Sequence, residues 1–192
     1  MVVIDRKAGR VYDFWQAERV SESRWTTSWG TWAPLEDDEV GRESGGSTGA
    51  GINLLAGVVR TSEIRAGRIE HALAFASALS CRDVYRYPAT KTDGKAPAEL
   101  CVPQGARFRL DPSIDVTAIR GITPGEIAVA QALQTYGGYV RDSAESSLAV
   151  AFEAPRGDDD PYADIAGFPW DYYDMPHIPW ERLQVLRQWD GG

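Results

Sequence analysis

Alternating apolar and polar residues at the start of the chain predict a β-hairpin. Residues 2–4 and 11–17 are rich in β-branched and aromatic side chains, which favour strands, and a Lys-Ala-Gly turn lies between them. Trp25 and Trp29 have the same parity in a further strand pattern, so their side chains are expected on one face. We expect both of them, and Trp15, in the core.

The densest pattern lies between residues 51 and 75. Ser62, followed by an acid, is a typical helix N-cap, so we expect a short helical turn near 62–66 that ends at a glycine. Residues 68–75 then alternate between apolar and polar side chains, which predicts a strand with His71 on its apolar face. Nothing nearby in sequence completes a catalytic set around this histidine.

One segment carries a convincing helix signal. Thr123, Pro124 and Glu126 fit a capping box with proline in the first helical position. An amphipathic pattern follows and a Gly-Gly pair ends it, which predicts an α-helix over about 123–137.

The remaining alternation is that of short strands. Runs near 84–87 and 106–110 are expected to be strands, and runs at 139–142 and 148–153 are expected to form a second hairpin. The pattern predicts a mainly β fold in which antiparallel strands have one face covered.

A change of composition divides the chain near residue 154. Residues 1–154 are expected to form a β-sandwich domain, whereas residues 155–192 are rich in proline and tryptophan. Prolines bar long regular elements, so we expect an irregular segment packed on the sandwich, docked through its last apolar residues. Met1 falls within a strand pattern, and we therefore expect the chain to be a fragment or a domain that lacks its leader.

The composition excludes several classes of function. The 192 residues include 43% hydrophobic and 25% charged side chains and carry a net charge of −8, which argues against nucleic acid as a partner. No apolar run approaches the roughly 18 residues of a membrane span, so no membrane insertion is expected. The glycine-rich stretch 41–51 lacks the P-loop spacing and follows four acids, so we interpret it as a flexible loop. No cofactor is predicted.

Two cysteines, Cys81 and Cys101, each border a predicted strand and enclose a turn-rich loop. A disulfide between them would stabilise the fold by about 3 kcal/mol through loop entropy. Two reduced, partly buried thiols are the alternative. The sequence has no Cys-x-x-Cys pair and no cysteine–histidine cluster, so no metal site is predicted.

Several short motifs are spread over nearly the whole chain. They are Val-Ile-Asp at 3–5, Tyr-Asp-Phe-Trp at 12–15, Gly-Arg-Ile-Glu-His-Ala-Leu at 67–73 and Pro-Trp-Glu-Arg-Leu-Gln-Val-Leu at 179–186. Together they resemble a group of largely uncharacterised, commonly secreted proteins of high-GC Gram-positive bacteria and related domains in their phages. The resemblance implies a jelly-roll-like, lectin- or glucanase-like sandwich in an extracellular protein, and it transfers no catalytic residues.

Candidate chemistry comes from carboxylates and one histidine. Glycoside hydrolysis needs two carboxylates on either side of one bond, and Glu70, Asp142 and His71 are the candidates for acid/base roles. Their spacing differs from the paired carboxylates of laminarinase-like sandwiches. A carboxylate on a sheet face is usually solvated, and a lone histidine usually belongs to the core.

The aromatic residues are the better guide to function. Seven tryptophans and eight tyrosines exceed what one modest core needs, and sugar rings stack on indole planes. Trp32, Trp170 and Tyr172, beside polar loops, are predicted to be exposed ligand contacts, with Asp93 accepting hydrogen bonds from sugar hydroxyls.

Three functions remain open. The first is an extracellular module that recognises a cell-envelope or plant polysaccharide. The second is a glycoside hydrolase or polysaccharide lyase on the same fold. The third is a structural or host-recognition domain of a phage virion or tail, in which residues 155–192 pack on a neighbouring subunit or on a second copy of the chain.

Overall fold

A computed structural model of the chain describes residues 1–35, 46–170 and 172–188. The acidic run 36–39 and the first half of the predicted glycine-rich loop lie outside the described residues. The strands are β1 (Val2–Asp5), β2 (Arg10–Trp15), β3 (Glu18–Arg19), β4 (Trp25–Thr26), β5 (Trp29–Pro34), β6 (Leu73–Ala76), β7 (Ser80–Tyr85), β8 (Val102–Gln104), β9 (Arg107–Leu110), β10 (Gly138–Asp142), β11 (Ala149–Val150) and β12 (Leu183–Val185). The helices are α1 (Thr61–Ala66), α2 (Pro124–Thr135), three 3-10 turns (Ala98–Leu100, Val116–Ala118, Trp180–Arg182) and a π-helix (Tyr162–Ala166). The fold is mainly β, as expected.

The described strands lie in several sheets. β1, β2 and β5 form an antiparallel sheet, which confirms the hairpin predicted at the start of the chain. A larger, five-stranded sheet has the order β11-β6-β10-β9-β12. Two-stranded ribbons of β3 with β4 and of β7 with β8 complete the strand pairing among the described residues.

The five-stranded sheet is mixed, so the expectation of purely antiparallel pairing is wrong. β6 and β10 run parallel, and β6 lies between β10 and β11. The second hairpin, predicted from residues 139–142 and 148–153, is therefore not formed. Alternation identifies a strand but not its neighbour, and a parallel pair needs a long crossover, which the chain between β6 and β10 supplies.

Helix α2 has the predicted capping box. The Glu126 carboxylate accepts a hydrogen bond from the Thr123 amide at 2.8 Å, and the Glu126 amide donates to Thr123 Oγ1 at 3.2 Å. Apolar side chains of the helix join Leu73, Phe75 and Leu110 of the five-stranded sheet in the main core. The helix thereby covers one face of that sheet.

Helix α1 begins earlier than the sequence predicts. Its N-cap is Arg60 rather than Ser62, because Glu63 Oε2 accepts from the Arg60 amide at 2.7 Å and occupies the third helical position. The expected terminal glycine is confirmed, since Gly67 adopts a left-handed conformation with φ of 64°.

The strand predicted over residues 68–75 forms only from Leu73 onward. The Arg68 amide donates to the Glu63 carbonyl at 3.1 Å, which ties the chain to the end of α1. The first hydrogen bond across the sheet is that of the Leu73 amide to the Gly137 carbonyl at 2.9 Å. The residues between these two points are irregular.

Residues 46–58, which we call the covering segment, join the two larger sheets. From the N-terminal sheet, the buried Asp13 Oδ2 accepts from the Leu54 amide at 2.7 Å. From the five-stranded sheet, Arg141 Nη1 donates to the carbonyls of Leu54 and, at 3.0 Å, Ala56. Polar side chains on both sides therefore fix this segment in place.

The chain beyond residue 154 contributes to the main core. Its core residues are Ala166, Phe168, Met175 and Ile178. β12 pairs with β9, and Arg182 forms an ion pair with Asp111 at the end of β9. The docking of the last apolar residues thus takes the form of a strand at the edge of the five-stranded sheet.

The disulfide between Cys81 and Cys101 is present, which decides against the reduced thiols. Cys81 lies in β7 and Cys101 directly precedes β8, so the bridge fastens one end of this ribbon. The loop that it closes carries Asp93.

A Cys81→Ala/Cys101→Ala double variant should lose about 3 kcal/mol of unfolding free energy, because the bridge closes a loop with a sequence separation of 20. Guanidinium unfolding, followed by tryptophan fluorescence, measures the loss. Wild-type protein reduced with dithiothreitol is the matched control and should unfold at the midpoint of the double variant. An unchanged midpoint in both would contradict the prediction.

Candidate functional site

The outer face of the five-stranded sheet, opposite helix α2, is where the polar side chains gather. Leu73 and Phe75 point to the helix, so strand alternation turns Ala74 to the outer face. Ala74, Tyr139 and Arg107 stand opposite one another on three neighbouring strands. The Arg107 guanidinium lies 5.7 Å from the centre of the Tyr139 ring.

A β-bulge in β10 brings two charged residues to this face. Val140 pairs with Phe75 and Asp142 pairs with Ala76, so Arg141 is the extra residue. Consecutive residues of a regular strand point to opposite faces, but a bulge removes that alternation locally. Arg141 and Asp142 consequently both contact the covering segment on the outer face.

A cleft of about 380 Å³ lies between the outer face and the covering segment. Its walls combine apolar side chains with two tyrosines, one histidine and one arginine. They are Ile52, Ala56, Gly57, His71, Ala72, Leu73, Ala74, Tyr87, Pro88, Tyr139 and Arg141. This volume and this mixture are those of ligand sites, which are mainly apolar with a few converging polar groups.

Two further cavities adjoin the cleft, one at each end. A cavity of about 300 Å³ shares Gly57 and His71 with it and is also lined by Glu63. A pocket of about 110 Å³ shares Tyr87 and Tyr139 with it. We call these three adjoining cavities the groove.

His71 stands between the cleft and the larger end cavity. Its Nε2 lies 3.1 Å from Glu63 Oε2, and its Nδ1 lies 2.9 Å from the Ala72 carbonyl oxygen. Both partners only accept hydrogen bonds, so the ring makes both bonds when each nitrogen carries a proton. Both ring nitrogens therefore have partners within the protein, and the acid/base role of His71 stays a prediction.

Glu70 lies away from the groove. It precedes β6 in the irregular segment, is exposed, and pairs with Arg68 at 2.8 Å. Glu70 is therefore a solvated carboxylate, which is the alternative to a catalytic role given in the sequence analysis.

Asp93 and Asp142, predicted separately as a ligand contact and a catalytic group, are neighbours. Ser143 joins them, because its Oγ donates to Asp93 Oδ1 at 2.7 Å and its amide donates to Asp142 Oδ1 at 3.0 Å. The buried Gln104 also donates to Asp93 Oδ1, at 2.6 Å, and the Gly49 amide donates to Asp142 Oδ1 at 3.1 Å. Donors on several segments thus hold one oxygen of each carboxylate.

The surroundings of Asp142 change the pKa of its carboxyl group. Burial raises the pKa of the Asp142 carboxyl above its ordinary value of 3.8, and the nearby charge of Asp93 raises it further. Hydrogen bonds from the Gly49 and Ser143 amides oppose this shift. A carboxyl whose pKa is raised, with a second carboxylate nearby, is an arrangement found in general acid catalysis.

Most of the tryptophans are exposed, so the core positions expected for three of them are wrong. The exposed fractions are 54% for Trp15, 51% for Trp25, 55% for Trp29, 42% for Trp32 and 56% for Trp170. Cations accompany two of them: the Arg10 guanidinium lies 4.1 Å from the Trp32 ring centre, and Lys91 Nζ lies 5.6 Å from that of Trp29. Strand parity predicts a shared face but cannot tell whether another layer covers it.

The remaining predicted ligand contacts lie together in the C-terminal segment. Tyr172 is 80% exposed, and its ring centre is 6.1 Å from that of Trp170 at an angle of 50°. Their exposure agrees with the prediction, but neither residue lines the groove.

Sequence reasoning missed Tyr87, Tyr139 and Arg141. The alternation of residues 139–142 was a usable signal for Tyr139, since it placed this residue on the face opposite the apolar ones. The bulge that turns Arg141 to the same face leaves no local signal. Tyr87 lies in the loop that the disulfide closes, and its position at the cleft depends on how that loop folds.

Comparison of the chain with protein-family models, with curated proteins and with solved structures finds no match. Among the described residues, no group of three or more histidine, cysteine or acidic side chains could hold a metal ion. No helix in the described ranges is long and apolar enough to cross a membrane.

Asp142→Asn should change how stability depends on pH. Because the pKa of Asp142 is raised in the folded state, the folded chain binds this proton more tightly than the unfolded chain does. The unfolding free energy of the wild type therefore falls as the pH rises from about 3.8 through the raised pKa. The variant keeps the acceptor oxygen but cannot ionise, so relative to wild type it should gain stability across that window. Urea unfolding at a series of pH values measures the difference.

Asp115→Asn is a control, because the pKa of Asp115 is shifted in the opposite direction to that of Asp142. Hydrogen bonds from the Thr117 hydroxyl and amide lower the pKa of Asp115, so its contribution is present above 3.8 and is lost on acidification. This variant should be less stable than wild type at neutral pH and should approach it in acid. Parallel curves for the two variants would contradict the assignment of Asp142.

Proposed function

We propose that the protein recognises carbohydrate in the cleft on the outer face of its five-stranded sheet. The observation that carries the proposal is the composition of the cleft walls. Tyr87 and Tyr139 present aromatic rings, on which the C–H face of a sugar stacks, and Arg141 lies at the same wall. A volume of about 380 Å³ lies within the range of roughly 300–1,000 Å³ typical of ligand sites.

The exposed tryptophans support a ligand longer than one sugar. Trp15 and Trp29 are directly opposite each other on β2 and β5, and both are more than half exposed. Lys91 contacts the Trp29 ring and lies two residues from Asp93. A sugar chain on this tryptophan pair would lie beside the loop that carries one of the paired carboxylates.

The disulfide supports an extracellular site of action, because such bonds persist in oxidising compartments. The proposal does not depend on the jelly-roll-like sandwich or on the resemblance to secreted bacterial and phage proteins. Both remain predictions from the sequence.

Tyr139→Ala should weaken binding of a polysaccharide ligand at least tenfold, or about 1.4 kcal/mol, because it removes an aromatic wall of the cleft. Affinity electrophoresis against neutral and acidic soluble polysaccharides finds the ligand, and calorimetry measures its affinity. Tyr172→Ala, outside the groove, is the control and should bind as wild type does.

Two outcomes would contradict the cleft. One is the absence of binding to every member of the panel by the folded wild-type protein. The other is a loss of affinity in Trp170→Ala or Tyr172→Ala without one in Tyr139→Ala, which would place the ligand on the C-terminal aromatic pair.

A second candidate function, glycoside hydrolysis, is favoured by one observation: the carboxylate pair. Asp142, with its raised pKa, would donate a proton to the glycosidic oxygen. Asp93 would either attack the anomeric carbon as a nucleophile or act as a base on the water that attacks it. Asp142 accepts a hydrogen bond from Gly49 of the covering segment, and neither carboxylate is among the residues that line the three cavities.

If the protein is a hydrolase, Asp142→Asn and Asp93→Asn should each lower the release of reducing ends by a factor of about 10² to 10⁴ while binding persists. Reducing-sugar assays over the polysaccharides that bind measure this release. Glu70→Gln is the matched control, since its carboxylate is solvated. If the wild type binds a polysaccharide but releases no fragments from it, the hydrolase function is contradicted and the binding function stands.

A further inference from the structure

The pocket of about 110 Å³ at one end of the cleft has an unusual charge. Three arginines, Arg86, Arg107 and Arg187, line it, and no acidic side chain among the described residues does so. We call it the arginine pocket. The chain as a whole carries a net charge of −8, so this pocket reverses the sign of its surroundings.

Backbone contacts bring the three arginines together from distant parts of the chain. The Arg86 amide donates to the Gln104 carbonyl at 2.8 Å. The Leu186 amide donates to the Arg107 carbonyl at 2.8 Å, which places Arg187 beside β9. The sheet and its edge strand therefore fix the backbone positions of the three arginines, of which Arg86 is half-buried and Arg107 and Arg187 are exposed.

Arg107 is oriented but keeps donors for a ligand. Its Nε donates to the Tyr136 carbonyl at 3.1 Å, and its Nη2 donates to the same oxygen. Neither Arg86 nor Arg187 forms an ion pair with an acid of the described ranges. Three neighbouring cations repel one another unless an anion lies between them, and guanidinium groups match the geometry of carboxylate and phosphate.

The arginine pocket adjoins the cleft, because Tyr87 and Tyr139 line both. Its volume is well below that of a typical ligand site, so it suits one ionic group rather than a ring. A ring in the cleft, between the tyrosines, could extend an acidic substituent into it.

We infer that the groove selects an acidic sugar: the ring occupies the cleft and its carboxylate or phosphate binds Arg86, Arg107 and Arg187. The sugar ring in this inference rests on the proposed carbohydrate recognition, whereas the anion pocket rests on the arginines alone. The two anions share the same chemistry of recognition and are separated by the choice of probe.

The test compares oligogalacturonate, the same oligomer with its carboxyl groups reduced to alcohols, and that reduced oligomer with phosphate esters on those alcohols. The wild-type chain should bind an acidic probe at least tenfold more tightly than the reduced oligomer at low ionic strength, and salt should weaken that preference. The tighter of the two acidic probes identifies carboxylate or phosphate as the anion.

The Arg86→Gln/Arg187→Gln double variant should lose the acidic preference at least tenfold while its affinity for the reduced oligomer stays unchanged. The Arg6→Gln/Arg120→Gln double variant removes the same two charges at exposed arginines outside the pocket and should keep the preference. Arg107 is left intact because it also binds the Tyr136 carbonyl.

Equal affinity for the acidic and reduced oligomers, or a double variant that behaves like wild type, would overturn the acidic-sugar inference and leave carbohydrate recognition standing. The opposite failure is also measurable. If no oligomer binds but inorganic phosphate raises the melting temperature of the wild type and not of the double variant, the anion pocket stands and the carbohydrate proposal falls.

Discussion

Two buried charges, Asp13 and Arg141, hold the covering segment between the sheets. Burial lowers the pKa of the Arg141 guanidinium, and the charges of Asp142 and Asp13 counteract that effect. Removing either side chain leaves buried backbone groups of the covering segment without their hydrogen-bond partner, which costs about 1–3 kcal/mol. The cleft depends on this fastening, since one of its walls is the covering segment.

Two small residues, Gly57 and Ala74, line the cleft where the covering segment approaches the sheet. A side chain on Gly57 would lie 2.7 Å from the Ala74 amide nitrogen, and φ of 72° there also favours glycine. The Ala74 amide donates to the Gly57 carbonyl at 2.9 Å, so the covering segment touches the sheet at this point. Close contact here and alanine at position 74 together define the depth of the cleft.

The parts of the fold that could be predicted have local signals. The capping box at Thr123 and the turn of the N-terminal hairpin act over a few residues, and both are found. Sheet order, the bulge at Arg141 and the exposure of Trp29 depend on segments far away in the chain. Asp93 and Asp142 were each identified, but their proximity through Ser143 could not be inferred from a separation of 49 positions.

The arginine pocket receives its third wall from Arg187, which β12 places beside β9. A chain emerging from the ribosome has Arg86 and Arg107 long before it has β12, because synthesis proceeds from the N-terminus at about 5–20 residues per second. The three arginines therefore come together only after β12 has paired with β9. A variant truncated after residue 182 would lack both β12 and Arg187, so the arginine pocket would lose one of its walls.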